Sequence, residues 1–281
     1  MKNTLTTMLA FSAISATSLF GQAVEFDSVA SDTDTGNSGS FTIDNTYTAA
    51  DSAYVVFGYA REGGAADSAT GQDVSAVTYG GNALNSIVET KYDLTNGAVA
   101  TMELWGSPLD SLAAGNLDFS VTVDGQTDNN GGANFFSWIV TGVNGITDQA
   151  GTGVSGEDNG GGGGIAGTFG FNDPTGDTML TLLPDQFIDT SDSDFSSVLT
   201  NDLILALYTN GNPADGSGVV NNVEGLEVDI DRLVATSNGG YTSSAYSGLA
   251  ASDAPPIGVT ITEGYFRAGL VAVSLDVVPE P

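Results

Sequence analysis

The chain has 281 residues, 35 of them acidic against 5 basic, for a net charge of −30, with 38 Gly and neither His nor Cys. Without Cys there is no disulfide framework, thiolate nucleophile or Cys-ligated metal, and without His there is no Ser-His-Asp triad or imidazole ligand. So anionic a surface repels phosphate backbones and acidic lipid, which argues against nucleic acid and membrane surfaces as partners; the apolar content of 41% suffices for a packed core.

Lys2 followed by the small and apolar run Leu5 to Phe20, then Gly21-Gln22-Ala23, predicts a signal peptide over residues 1–23 with cleavage after Ala23. The mature chain is therefore expected in an exported, extracellular or cell-surface setting. A Cys-free fold in an oxidising compartment must be held by packing alone, or by packing together with bound cations.

Beyond residue 23, period-2 patterning dominates. Ala53 to Tyr59 is a continuous apolar run of strand length, suited to a strand covered on both faces. Val74 to Tyr79, Gly80-Gly81 and Leu84 to Thr90 read as a hairpin whose turn needs positive φ. Val99–Trp105 is the next strand. In Leu117 to Val123 apolar and polar residues alternate without exception before the turn Asp124-Gly125. Phe135–Thr141 follows. Gly151 to Gly167, with five consecutive glycines at 160–164, reads as a flexible surface loop, and no Lys-Ser/Thr follows it to make a phosphate cradle. Met179–Leu183 is a further strand. Asp185 to Asp202 is acidic and suits one short helix packed over an edge. Strands are then expected at Leu203–Tyr208, Leu226–Leu233 and Phe266–Val273. About ten or more strands separated by Gly/Asn/Asp/Ser clusters give an all-β, single-domain β-sandwich or jelly roll over residues 24–277. No segment approaches the roughly 18 apolar residues of a membrane span; Ala268 to Val278 is shorter and carries Asp276. No membrane insertion of the mature chain is expected.

Three constellations could carry chemistry. In Glu227-Val228-Asp229-Ile230-Asp231, residues two apart share one strand face, so three carboxylates would stand about 7 Å apart in a row; the bland reading is a solvated strand face. Asp-rich turns around Asp32, Asp34, Asp128, Asp158 and Asp189–Asp194 offer hard oxygen ligands of the kind Ca2+ takes. None has EF-hand spacing, and Asp and Asn are also what turns require. Among the aromatics Tyr92, Trp105, Trp138, Tyr241 and Tyr246, Trp105 shares a face with Thr101 and Glu103 and is the candidate for stacking on a sugar ring, whereas Trp138 sits among Phe135, Phe136, Ile139 and Val140 and reads as core.

Three resemblances add to this reading. Val278-Pro279-Glu280-Pro281 resembles the opening of the PEP-CTERM sorting signal of exopolysaccharide-producing bacteria. That likeness implies recognition by an exosortase, provided the apolar span and basic tail that complete the signal follow beyond residue 281. Val55-Val56-Phe57-Gly58, Val77 to Leu84 and Glu103-Leu104-Trp105 resemble a β-sandwich module of secreted proteins of environmental bacteria, which implies a fold and an extracellular setting but no catalytic set. The Glu227-x-Asp229-x-Asp231 strand is similar to the active-site strand of laminarinase-like glycoside hydrolases. That implies Glu227 as nucleophile, Asp229 as its neighbour and Asp231 as acid/base, with Asp231 one methylene shorter than the Glu of that family. The expectation that weighs all of this is an exported, acidic, non-catalytic protein of the cell surface or exopolysaccharide matrix. Its partner would be extracellular polysaccharide, with a carbohydrate-binding module and a jelly-roll glycoside hydrolase as alternatives. No cofactor is expected beyond Ca2+.

Overall fold

A computed structural model describes residues 24–29, 40–47, 52–62, 74–93, 99–111, 115–123, 133–155, 165–171, 189–190, 195–211, 220–224, 231–236, 242–255, 257–265 and 267–278. Their regular structure is entirely antiparallel strand, numbered β1 to β18 in chain order. A six-stranded sheet runs β1 (Val24–Val29), β9 (Ala133–Val140), β3 (Ala53–Glu62), β7 (Val99–Leu109), β6 (Asn85–Asp93) and β12 (Asp189–Thr190). A five-stranded sheet runs β10 (Val143–Ser155), β18 (Arg267–Val277), β13 (Leu203–Gly211), β16 (Thr242–Leu249) and β15 (Asp231–Thr236). A four-stranded sheet runs β2 (Ser40–Tyr47), β8 (Gly115–Val123), β4 (Val74–Tyr79) and β5 (Asn82–Ala83). A three-stranded sheet runs β11 (Ile165–Phe171), β17 (Ile257–Tyr265) and β14 (Val220–Glu224).

The continuous apolar run in β3 explains how these sheets stack. Successive side chains of a strand point to opposite faces. Val55, Phe57 and Tyr59 pack with Val77 and Tyr79 of β4 and Phe119, Val121 and Val123 of β8 in one buried core. Tyr54, Val56 and Ala60 pack with Leu203, Leu205 and Leu207 of β13 and Val271, Val273 and Leu275 of β18 in a second. The six-stranded sheet is thus the middle of a three-layer β-sandwich, and β3 has to be apolar on both faces. The first core is aromatic: Phe57 lies 5.4 Å from Phe119 and 5.8 Å from Phe135, and Tyr79 lies 4.4 Å from Phe119, all ring centroid distances in tilted geometry.

Two glycines let the second interface close. A Cβ at Gly58 would stand 3.1 Å from the Trp138 ring and 3.2 Å from Leu207 Cδ2, so β3 stays bare where the indole lies. A Cβ at Gly151 would overlap Thr90 Oγ1, so β10 lies directly on β6. One polar bond also crosses this interface, Asn134 Nδ2 of β9 donating to Ser243 Oγ of β16 at 2.8 Å.

The expected hairpin forms and then parts. Tyr79 pairs with Asn82 across Gly80 (φ 55) and Gly81 (φ 82), the left-handed pair that a two-residue type I′ turn needs. Leu84 still donates its N–H to the Val77 carbonyl at 2.8 Å, but from Asn85 the chain enters the middle sheet and pairs with β7. One strand pair therefore stitches two layers.

The three-stranded sheet continues three strands of the five-stranded one. β17 and β18 are separated by residue 266 alone, and both are flanked in the same order, β10-β18-β13 and β11-β17-β14. Ser155 pairs with Arg267 and Ile165 with Tyr265 on one side, Gly211 with Arg267 and Val220 with Ile261 on the other. The expected Gly151–Gly167 loop is corrected accordingly. Gly151–Ser155 belong to β10 and Ile165–Gly167 to β11, because glycine is here the residue that permits close layer packing; 160–164 lie outside the described residues. The short helix expected over Asp185–Asp202 is not found among the described residues of that stretch, which form β12 and turns over 195–202. Met179–Leu183 lies outside them, and of Leu226–Leu233 the described strand begins at Asp231.

Candidate functional site

β7 carries a deeply buried carboxylate. Glu103 is 2% exposed. Its Oε1 accepts from the Val74 backbone N–H at 2.9 Å and its Oε2 from Trp105 Nε1–H at 2.7 Å. The first bond ties the middle sheet to the first residue of β4. The second follows from strand geometry, since residues 103 and 105 stand side by side on one face. In register, Glu103 lies between Tyr59 of β3 and Glu89 of β6, and the neighbouring Thr101 between Arg61 and Lys91. Two of the five basic residues of the chain thus occupy positions next to this acidic pair.

A second group of carboxylates holds the segment leading into β13. Asp148 Oδ2 on β10 accepts from Ser197 N at 2.8 Å, Asp202 Oδ2 from Leu199 N at 3.0 Å, and Asp253 Oδ1 from Thr200 N at 2.8 Å and Thr200 Oγ1 at 2.7 Å. Backbone bonds Asn201 N to Ala250 O (2.9 Å), Ala250 N to Asp202 O (2.8 Å) and Ala254 N to Val198 O (2.8 Å) complete the clasp. Asn201 (φ 72) and Ala254 (φ 45) are left-handed, as the reversals here demand. Phe195 and Val198 are fully buried beneath it, and Ser274 of β18 reaches Asp202 Oδ2 at 3.4 Å. The two bonds from Thr200 hold the Asp253 carboxyl below the ordinary aspartate value, with a small opposing push from desolvation.

These carboxylates accept from N–H and O–H groups of their own fold. Charge-assisted bonds of this kind are strong and positional, and each of these carboxylates uses at least one oxygen to hold the scaffold.

Of the residues singled out in the sequence, Trp105 belongs to the Glu103 cluster and the others fall elsewhere. Trp105 is half-buried, packs against the aromatic core and has its indole N–H on Glu103. Trp138 is fully buried, as its apolar surroundings predict, and Tyr246 is 1% exposed. Asp231 opens β15 at the edge of the five-stranded sheet, opposite Ser247. Glu227 and Asp229 lie outside the described residues, as do Asp32, Asp34, Asp128, Asp158, Ala23 and Tyr241. Asp189 pairs in register with Lys91. Among the described residues no three carboxylates converge to hold a metal ion, and no helix is long and apolar enough to cross a membrane.

Sequence reasoning missed Glu103, Asp148, Asp202 and Asp253. For Glu103 a signal existed, an acceptor two residues from an indole donor on one strand. For the three aspartates the donors are backbone amides of remote or turn residues, which no spacing encodes. Comparison with known proteins finds no matching family model and no significantly similar curated protein or solved structure.

Proposed function

We propose that the chain is an exported, acidic, non-catalytic protein of the cell surface or the exopolysaccharide matrix. One observation carries the proposal: Glu103, Asp148, Asp202 and Asp253 are engaged by donors of the chain itself, as scaffolding groups are. The leader-like residues 1–23 and the Pro279-Glu280-Pro281 tripeptide supply the address, and with it an extracellular polysaccharide as partner. The packing of Trp105 on the aromatic core and its bond to Glu103 favour the scaffold reading over sugar stacking at that ring.

Fractionation of the native cells with an antibody to the chain tests this. Recovery from the extracellular matrix, released by high salt, is the expected result, together with no reducing sugar from β-glucans. Recovery in the cytosol, or glucan hydrolysis abolished by Glu227→Gln, overturns it.

A further inference from the structure

Two Asn-Gly dipeptides fall on described strands, and they sit in opposite settings. Asn210-Gly211 is in β13, inside the five-stranded sheet, where Asn210 pairs with Thr242 on one side and Ala268 on the other. Asn144-Gly145 is in β10, at the edge of that sheet. Val143 pairs with Val277 and Gly145 with Asp276, so Asn144 is the extra residue of a bulge and has no partner across the ladder. Its side chain is exposed, and its one hydrogen bond runs from Nδ2 to Asp276 Oδ2 at 2.8 Å. Gly145 has φ 156, and nothing lies within 4 Å of where a Cβ would stand. Position 145 therefore carries no side chain beside the Asn144 carboxamide, and the space where one would stand is open.

We propose that Asn144 is a site of spontaneous deamidation whose conversion loosens the β10–β18 pairing at its Val277 end. The Gly145 nitrogen attacks Asn144 Cγ. The Cγ–Nδ2 bond breaks and Nδ2 leaves as ammonia, carrying the proton lost by the Gly145 nitrogen. Water then opens the cyclic imide at one carbonyl or the other, leaving Asp or isoAsp at position 144. Either product replaces a donor facing Asp276 with a second carboxylate, in a chain already at −30. An attractive contact becomes a repulsive one, and isoAsp also adds a methylene to the backbone of the bulge. Beyond the Val143–Val277 pair, this end is tied by Val278 N donating to Gly142 O at 2.9 Å. The bulge thus acts as an ageing clock on the closing strand of the fold.

Peptide mapping of the full chain, held for weeks in mildly alkaline buffer, reads the first half. Asn144 should convert on the order of tenfold faster than Asn210, whose strand must open before its amide can react. Equal conversion at the two positions, or an unchanged Asn144, overturns the proposal. The second half is read with Asn144→Asp, which should lower the thermal midpoint by about 2–4 °C. Adding Asp276→Asn to that variant exchanges donor and acceptor and should restore the midpoint. An Asn144→Asp midpoint equal to that of the parent chain, or no recovery in the double variant, removes the loosening.

Discussion

Glu103 shows how the environment of a single residue decides its role. On alternation alone, Thr101, Glu103 and Trp105 form the polar face of β7, and a polar face suggests water. The structure instead lays the β4/β8 sheet over that face, and the carboxylate survives burial because Val74 and Trp105 both donate to it. Glu103→Gln replaces one acceptor oxygen with a donor, so one of the two N–H groups loses its partner. The expected cost is about 2 kcal/mol in urea unfolding, the size of one charge-assisted bond with its desolvation. A red-shifted indole emission should accompany it as Trp105 loses its anchor. An unchanged unfolding midpoint would show that the carboxylate does not hold β7 to β4. What was legible here was the shared face; what was not was the layer above it, because a strand's own sequence does not say which sheet will cover it.

Among the elements, strands with strict alternation or solid apolar runs were readable at the sequence level. The expected Leu117–Val123 lies within β8 and the expected Ala53–Tyr59 opens β3. β16, with the sequence TSSAYSGL, and β10, with glycines at 145, 151 and 153, were not readable, since small and hydroxyl residues look like linker. They are small because layers meet closely there: Ser243 bonds across the interface and Gly151 lies on Thr90. The clasp over residues 197–200 was equally hidden, and it makes a prediction about acid. Asp253 is held below its ordinary value of 3.8 by the N–H and hydroxyl of Thr200. A depressed carboxyl contributes stability that is complete above the unfolded value and is lost as pH falls through the folded one. Protection of the Thr200 amide, its exchange rate set against the intrinsic rate at each pH, should therefore fall only below about pH 4 in the parent chain, and in Asp253→Asn it should be lower at neutral pH with a flatter acid dependence. An Asp253→Asn chain that keeps the full acid-induced loss of protection would mean another group controls the clasp.

For the molecule as a whole, two features oppose one another. Three layers of sheet share two cores, one joining β3, β4 and β8 and the other joining β3, β13 and β18, so chain segments far apart in sequence depend on each other. Against that cohesion stand 35 acidic residues with five basic ones to offset them, a net charge of −30. Two of those five, Arg61 and Lys91, are placed by register beside Glu103 and Glu89, which leaves little cation for the rest of the surface. The compact state therefore carries self-repulsion that the unfolded chain relieves by expanding. At 0.01 M salt the screening length is about 30 Å, so charges repel across a large part of the fold; at 1 M it is about 3 Å and repulsion is confined to near neighbours. The thermal midpoint should rise by several degrees between those conditions, about 2–4 °C for each kcal/mol of repulsion screened in a chain of this size. Chloride salts of Na+ and Ca2+ at equal ionic strength separate screening from binding. Equal shifts assign the effect to the diffuse field, whereas a further rise with Ca2+ that saturates at low concentration assigns it to a discrete oxygen-ligated site among the Asp-rich turns. A midpoint indifferent to both salts would mean that the carboxylates are already neutralised by contacts within the fold.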